Sequence, residues 1–379
     1  MHHISERELH LPPAMISKLV QIAAEGKDII SLGAGEPDFL LPGPLIEYTK
    51  KIAGKCNHYS PPIGRLDLRE AISRKVRKDN KIKAVPENVF VSAGSQESLL
   101  LSLAATTDVS EQVIVPNPGY LGYVPAIELF DATPIFVKAR EQDGWDMNPD
   151  EIKKAVTKKT TAIVINTPSN PTGNVASRKT LEEIADIAID NDIYIISDEA
   201  YEKIVYEKKH VSAGSFNGMG KNVITLQTFS KSYAMCGYRI GYCVAPEEII
   251  KSLEKSHVYS TICAPTISQM LAVKALSLPK KYTNSMVVEY RRRRNFMVRR
   301  LNEIGLHTHM PSGAFYTFSR IPGKNKSWMF AEKLLKNAHV AVVPGTEFGG
   351  AGEGYIRLSF ATKMPLIEKA LDKIERFLK

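Results

Sequence analysis

Residues 160–173, TTAIVINTPSNPTG, form an apolar run that ends in a loop of Pro, Asn and Gly, and they open the part of the chain that decides its fold. Next comes SRKTLEEIADIAIDN (177–191), which has the periodicity of an amphipathic helix with Ser177 as its cap. DIYIISDEAY (192–201) is again apolar. Continuous Ile and Val runs on either side of a helix predict a parallel sheet that is buried on both faces.

The same alternation extends outward on both sides. Further strands are predicted at 88–94 (NVFVSAG), 111–120 (EQVIVPNPGY), 131–139 (DATPIFVKA) and 222–229 (NVITLQTF), and a helix at 95–107 (SQESLLLSLAATT). The predicted fold class is α/β: a large domain with a mostly parallel sheet flanked by helices, plus a smaller α+β domain from both termini.

The domain boundaries follow from the change of pattern. A chain of 379 residues exceeds what one core usually holds. From residue 284 the alternation gives way to a long helix, short strands and a closing helix. We expect a large cofactor-binding domain at 47–283, a small C-terminal domain at 284–379, and an N-terminal segment, 1–46, that packs with the small domain.

Composition and charge argue against nucleic acid and membrane as partners. The net charge is +9, but the arginine run at 291–295 sits in a segment where Met286, Tyr290, Met297 and Leu301 form an apolar stripe, so the arginines are expected on a solvated helix face. No apolar run approaches the ~20 residues of a bilayer span, and MHHISERELH has no signal-peptide h-region. Four cysteines without a CxxC pair favour free thiols in a reducing cytoplasm.

Chemically distinctive side chains stand where the predicted strands end. In open α/β sheets, ligands bind beyond the carboxyl ends of the strands. The candidates in chain order are Ala93-Gly94-Ser95, Tyr120 with Tyr123, Asn170, Asp198 with Tyr201, and Lys231. Small residues before a helix let backbone N–H groups approach a phosphate, and a buried acid needs a cationic partner. The combination predicts a pocket for a flat, phosphorylated aldehyde whose ring can be protonated.

These motifs, with SLGAGEPDF (31–39), HYSPPIGRLDLREAI (58–72), SKSYAMCGYRIGY (230–242) and YIRLSFA (355–361), resemble the class I, aspartate/aromatic-type aminotransferases. Those are pyridoxal-phosphate-dependent enzymes of fold-type I, and the resemblance covers nearly the whole chain. It implies pyridoxal 5′-phosphate as cofactor, an L-amino acid and a 2-oxo acid such as 2-oxoglutarate as substrates, and a homodimer with shared active sites.

The resemblance also implies roles for the residues at the strand ends. Lys231 matches the lysine that forms a Schiff base with the cofactor and then moves a proton, and a primary amine can do both. Asp198 matches the acid that pairs with the pyridinium nitrogen. Tyr201 and Asn170 match the residues that hydrogen-bond the 3′ oxygen of the ring.

The remaining cofactor contacts are implied in the same way. Arg239 matches an arginine that clamps the phosphate bidentately. By the same resemblance, Ala93, Gly94, Ser95, Thr228 and Ser230 would complete the phosphate cup. Tyr120 would stack on the ring with Tyr123 behind it, and Tyr59 matches a tyrosine that reaches the phosphate in the neighbouring subunit.

Substrate contacts come from three positions. Arg357 matches the arginine that grips the α-carboxylate, and it sits among Ile, Leu and Phe, where an unpaired charge is expensive. Gly35 matches a backbone position that lets substrate approach closely. Asn170 is expected to contact substrate as well as cofactor.

Side-chain specificity stays open at this level. Some aspartate-specific relatives have a lysine where Ser95 stands, which disfavours a dedicated aspartate enzyme. Tyr120, Tyr123, Phe315 and Tyr316 are candidates to line an apolar pocket for aromatic or other neutral amino acids. Two alternatives remain: a cysteine-conjugate β-lyase within the cofactor family and, in a different class, a non-catalytic pyridoxal-phosphate-binding protein.

Overall fold

The computed structural model describes residues 4–5, 8–9, 11, 28–216, 218–323 and 325–379. The rest of the predicted N-terminal segment 1–46, including parts of MHHISERELH, lies outside the described residues. The strands in chain order are β1 (Ile30–Ser31), β2 (Val89–Ser92), β3 (Gln112–Asn117), β4 (Thr133–Lys138), β5 (Thr160–Asn166), β6 (Tyr194–Asp198), β7 (Val223–Thr228), β8 (Gly241–Val244), β9 (Tyr316–Arg320), β10 (Val340–Ala341), β11 (Val343–Pro344) and β12 (Tyr355–Ser359). The α-helices are Gly43–Ile52, Leu66–Lys75, Ser95–Thr106, Tyr123–Glu128, Pro149–Ala155, Arg178–Asp190, Phe229–Ser232, Glu247–Ser260, Thr266–Leu276, Lys281–Glu303, Ser327–Ala338 and Met364–Leu378.

A seven-stranded sheet in the order β2-β8-β7-β6-β5-β3-β4 forms the centre of the fold. The strands from β7 to β4 pair in parallel, so the predicted mostly parallel sheet is confirmed. β8 was not predicted, and it is antiparallel to both β7 and β2. Because β8 reverses between them, β2 and β7 run in the same direction. The carboxyl ends of β2, β3, β5, β6 and β7 therefore lie along one edge.

Both faces of the sheet are covered. Along β5, Ala162 and Val164 belong to one apolar cluster and Ile163 and Ile165 to the other, which is the period of two expected of a strand buried on both faces. The helices Ser95–Thr106 and Glu247–Ser260 contribute to the first cluster and Arg178–Asp190 to the second. The Ser177 side chain accepts a bond from the Thr180 backbone N–H at 3.0 Å, so the predicted cap is confirmed.

The C-terminal part has its own sheet, in which β12 lies between β11 and β9 and is antiparallel to both. β1 pairs in parallel with β10, through Ile30 opposite Val340. Ile30 and Leu32 are buried in the same core as the helices Lys281–Glu303 and Met364–Leu378. This contact joins residues 30–32 to the C-terminal unit, while the domain boundaries at 46 and 283 stay a prediction.

The arginine-rich helix Lys281–Glu303 departs from expectation in one respect. Its predicted stripe of Met286, Tyr290, Met297 and Leu301 is buried. Two of its arginines are buried as well, although they were expected on a solvated face. Arg293 bonds to Asp38 at 2.8 Å, and Arg294, only 2% exposed, bonds to Glu207 at 2.7 Å. A buried arginine needs such a partner, and both acids lie far away in sequence, where a helical pattern cannot reveal them.

Cys56, Cys236, Cys243 and Cys263 are free thiols. Within the ranges described, no helix combines the length and apolar character that a membrane crossing requires.

Candidate active site

A cavity of about 580 Å³ opens at the carboxyl edge of the central sheet. Eleven of the predicted site residues line it: Gly35, Ser95, Tyr120, Asn170, Asp198, Tyr201, Thr228, Ser230, Lys231, Arg239 and Arg357. Ala93, Gly94, Tyr123 and Tyr59 are outside this lining. Further lining residues were not assigned to the site from the sequence: Ala34, Glu36, Gln96, Leu99, Asn166, Ala200, Cys236 and Gly237. The cavity thus gathers residues from every strand end that the sequence singled out.

Lys231 lies in the single helical turn Phe229–Ser232 that follows β7. The Thr228 hydroxyl caps this turn by accepting a bond from the Ser230 backbone N–H at 3.1 Å. The Lys231 amine donates to the Gly35 carbonyl oxygen at 2.6 Å. The partner of the amine in this contact is a neutral carbonyl and not a carboxylate.

Asp198 ends β6, and both of its carboxylate oxygens are engaged. Oδ1 accepts from the Ala200 backbone N–H at 3.1 Å, and Oδ2 accepts from the Tyr123 hydroxyl at 2.7 Å. Burial raises the pKa of Asp198 even though both bonds lower it. Because desolvation disfavours its charged form, Asp198 would be stabilised by a cation entering the cavity.

Tyr123 therefore has a contact that the sequence did not reveal. It was expected to stand behind Tyr120 and to help line an apolar pocket; the two rings do meet edge to face with centroids 5.4 Å apart, but Tyr123 is not among the residues that line the cavity. Tyr123 is only 1% exposed, and its hydroxyl donates its hydrogen bond to Asp198. Phe315, another residue proposed for the apolar pocket, is fully buried behind Tyr201. Tyr120 and Tyr316 alone of that aromatic set line the cavity.

Arg357 is buried without a carboxylate among its hydrogen-bond partners in the described chain. Nη1 donates to Asn170 Oδ1 at 3.0 Å and Nη2 to the Gly33 carbonyl at 2.7 Å, while Nε has no partner among the described residues. The guanidinium lies between the rings of Tyr316 and Phe348, at 4.4 and 5.0 Å from their centroids. Burial lowers the pKa of Arg357. A buried cation of this kind is a receptor for an anion, which would provide its counter-charge.

A second cationic group, Arg239, lies at the start of the helix Ser95–Thr106. It adopts a left-handed conformation (φ 49°) and bonds to the carbonyls of Cys236 and Ala93 at 3.1 and 3.4 Å. Gly94 has φ +95°, and a Cβ there would lie 2.7 Å from Arg239 Nη2, so only glycine leaves this space free. Guanidinium, helix N-terminus and the hydroxyl-bearing turn after β7 together form a cup suited to a phosphate.

One contact bears on the expected phosphate cup. The Ala93 backbone N–H donates to Glu97 Oε2 at 2.6 Å, so this N–H is not available to a phosphate.

Asn166, the first residue of NTPSNPTG, accepts from the Asn170 N–H at 2.7 Å and donates to the Asp198 carbonyl at 3.1 Å. It thereby ties two strand-end loops together. Its position directly at the end of β5 was the signal that could have identified it.

Tyr59 lies away from the cavity of its own chain. Its side chain is 79% exposed. The neighbouring Ser60 is joined to Thr266 by a 2.9 Å hydroxyl contact, which places Tyr59 beside the start of the helix Thr266–Leu276.

Comparison with known proteins gives consistent matches. Residues 27–374 match the family described as aminotransferase class I and II. The chain is 44% identical to an aspartate aminotransferase of Pyrococcus abyssi and 43% identical to aromatic-amino-acid aminotransferase 2 of Thermococcus litoralis, each over 99% of this chain and 98% of the relative. Among solved structures, the aromatic aminotransferase from Pyrococcus horikoshii superposes with a TM-score of 0.91 at 44% identity, over 95% of this chain and 98% of that one. The Thermus thermophilus aspartate aminotransferase with maleate superposes with a TM-score of 0.94 at 34% identity, over 99% and 100%.

Proposed function

The chain belongs to the class I and II aminotransferases, and from that premise we propose that it exchanges the amino group of aromatic and acidic L-amino acids with 2-oxo acids, 2-oxoglutarate among them. It is a pyridoxal-phosphate-dependent transaminase. The observation that carries the proposal is that two groups line one cavity: an amine, Lys231, and a buried guanidinium, Arg357. One can form an imine and the other can hold a carboxylate.

The described residues fit the cofactor. Gly94 leaves the space beside Arg239 that a Cβ would fill, which suits a phosphate held by that arginine with Ser95, Thr228 and Ser230. Asp198, whose pKa burial raises, would be stabilised by a protonated ring nitrogen. We assign the ring oxygen to Tyr201 and Asn170 and the ring face to Tyr120. When bound, pyridoxal phosphate supplies a ring that accepts the electron pair left on the substrate α-carbon.

Lys231 is assigned the proton transfer. Its amine would hold the cofactor covalently, and once a substrate amine has taken its place, the freed amine would carry a proton from the α-carbon of the amino acid to C4′ of the cofactor. In the other half-reaction the same amine would carry a proton back from the cofactor to the α-carbon of the 2-oxo acid, which becomes the new amino acid. Among the described residues, the one hydrogen bond of the Lys231 amine goes to a neutral carbonyl, that of Gly35, which supports this exchange of roles.

Arg357 is assigned the α-carboxylate of both substrates. The hydrogen bonds to Asn170 and Gly33 hold the guanidinium in place. The N–H groups that these bonds do not use can donate to both oxygens of a carboxylate. An α-carboxylate is common to every amino acid and 2-oxo acid, so this contact is independent of the side chain. Selection among side chains is left to other parts of the wall, where Tyr120 and Tyr316 offer aromatic surface and Gln96 a polar group.

We propose a homodimer with shared active sites. Tyr59 is exposed, and the carbonyl of the residue before it, His58, accepts a bond from the Thr266 hydroxyl. Tyr259 and Ile262, a few residues before Thr266 in the chain, are 92% and 45% exposed. Large apolar side chains grouped on a surface are typical of protein–protein contacts. In the dimer, Tyr59 would reach the phosphate bound by the other subunit.

We also propose that the protein is located in the cytoplasm, because its four free thiols suit a reducing compartment.

The test is a donor panel with purified protein, pyridoxal phosphate and 2-oxoglutarate. Phenylalanine, tyrosine and aspartate should each yield glutamate and the matching 2-oxo acid, and the Lys231→Ala protein serves as the blank. If a cysteine conjugate releases pyruvate and ammonia much faster than any donor forms glutamate, the protein is a β-lyase and the proposal is wrong.

A further inference from the structure

Tyr316, the first residue of β9, contacts three groups of the site at once. Its hydroxyl lies 2.8 Å from the hydroxyl of Tyr201. Its ring lies 4.4 Å from Arg357 Cζ. A Cβ built on Gly35 would come within 3.3 Å of the Tyr316 hydroxyl, so the backbone that accepts the Lys231 amine passes beside it. Tyr316 thus connects the residues assigned to the ring oxygen, the carboxylate and the amine.

The hydroxyl of Tyr316 is the feature that calls for an explanation. Its side chain is fully buried and packs on Phe315, with ring centroids 4.8 Å apart, so a phenylalanine would fill the same space without burying a polar group. Two phenol groups carry two protons between them, and their mutual hydrogen bond uses one. The second proton remains available to a third oxygen in the cavity that both residues line.

From this geometry, and resting on the function proposed above, we propose that Tyr316 is a positioning residue that acts through Tyr201. Tyr316 donates its proton to the Tyr201 oxygen, which directs the Tyr201 proton to the ring oxygen of the cofactor. A hydroxyl that accepts one hydrogen bond donates the next one more strongly. The ring of Tyr316 has a separate role, which is to support the guanidinium of Arg357 from one face.

The burial of Tyr201 is consistent with this direction of donation. The pKa of Tyr201 is raised well above its usual value, mainly because the side chain is buried and to a smaller extent because Tyr316 lies beside it. Tyr201 therefore keeps its proton to higher pH than an ordinary tyrosine and can act as a donor. Its acceptor site is then the natural partner for the Tyr316 proton.

The experiment separates the hydroxyl from the ring. Tyr316→Phe removes only the hydroxyl, and two quantities are measured: the dissociation constant of pyridoxal phosphate from the protein, and the pH midpoint of the change in absorbance of the bound cofactor. We expect the cofactor to bind about three- to tenfold more weakly and the midpoint to rise by about 0.5–1 pH unit. The midpoint rises because a less well stabilised ring oxygen keeps its proton to higher pH. The KM for amino acids should stay within about twofold, whereas Tyr316→Leu, which also removes the ring, should raise it about tenfold for every amino acid.

A double-mutant cycle tests whether Tyr316 acts through Tyr201. In the Tyr201→Phe background, Tyr316→Phe should add no further shift in the midpoint. The control is Tyr290→Phe, which removes a hydroxyl that is buried and has no partner among the described residues, in the same aromatic cluster. It should leave the midpoint and the cofactor affinity unchanged.

The outcomes distinguish this inference from the proposed function. If the wild-type protein binds pyridoxal phosphate and transfers amino groups, but Tyr316→Phe leaves its midpoint and affinity unchanged, only the role of Tyr316 is refuted. Full additivity in the cycle refutes it as well, because Tyr316 would then act independently of Tyr201. If the wild-type protein binds no pyridoxal phosphate, the function and the inference are both wrong.

Discussion

Replacement of Arg357 by alanine is the perturbation whose effect the structure defines most sharply. The guanidinium is 1% exposed, is held by the Asn170 side chain and the Gly33 carbonyl, and lies between two aromatic rings. An α-carboxylate in this pocket would lose its counter-charge in a desolvated site. Truncating one member of such a buried charge pair costs about 2–5 kcal/mol, which corresponds to a fall in kcat/KM of about 30- to 5,000-fold.

The assay compares kcat/KM for aromatic, acidic and neutral amino acids and for an amino acid amide that lacks the α-carboxylate. The loss should be similar for all true amino acids, and the Arg357→Ala protein should discriminate little between an amino acid and its amide. Guanidinium ion added at low concentration should restore part of the activity of the variant and none to wild type. Arg294→Ala serves as a control, because Arg294 is buried to a similar depth but bonds to Glu207, away from the cavity. It should lower thermal stability without changing the preference for a carboxylate.

The reasoning is refuted if the loss is confined to acidic donors, since Arg357 would then bind the side-chain carboxylate. It is also refuted if wild type uses the amide as well as the acid. In the first case the α-carboxylate would be held by another group, and the solvent-facing Arg239 would be the next to test.

Three further predictions follow from the site and its surroundings. Borohydride reduction with peptide mapping should place the pyridoxyl group on Lys231, and Lys231→Ala should lose turnover by several orders of magnitude; label on another lysine would contradict the assignment. Mixed dimers of Tyr59→Phe and Lys231→Ala chains should regain activity through one intact site, whereas an active monomer in sedimentation would exclude shared sites. In the apoprotein, burial raises the pKa of Asp198, so the folded state binds more protons than the unfolded state between the two pKa values, and stability falls as the pH rises through that window. In urea unfolding, the free energy of unfolding of Asp198→Asn should therefore rise relative to that of wild type as the pH increases. Parallel pH profiles of the two proteins would show that ionisation of Asp198 does not destabilise the folded state.

Much of the site was predictable because it is built from local signals at the ends of strands. Asn170, Asp198 and Lys231 each follow an apolar run whose length and Ile/Val content predict a buried strand, and parallel strands place their carboxyl ends at one edge. The capping of the helix Arg178–Asp190 by Ser177 is equally local, since the bond spans three residues.

What the tertiary structure alone decided are the contacts between residues far apart in sequence. The pairing of Tyr123 with Asp198 spans 75 residues, and that of Arg357 with Gly33 spans 324. Arg293 and Arg294 belong to a pattern of surface charge until Asp38 and Glu207 are brought to them. Periodicity reports which face of an element is buried, but it carries no record of which distant group is buried against it, because that depends on the packing of whole elements. For the same reason the strand ends disclosed the chemistry of the site, while the buried hydroxyl pair of Tyr201 and Tyr316 became visible only once β9 was packed against the turn after β6.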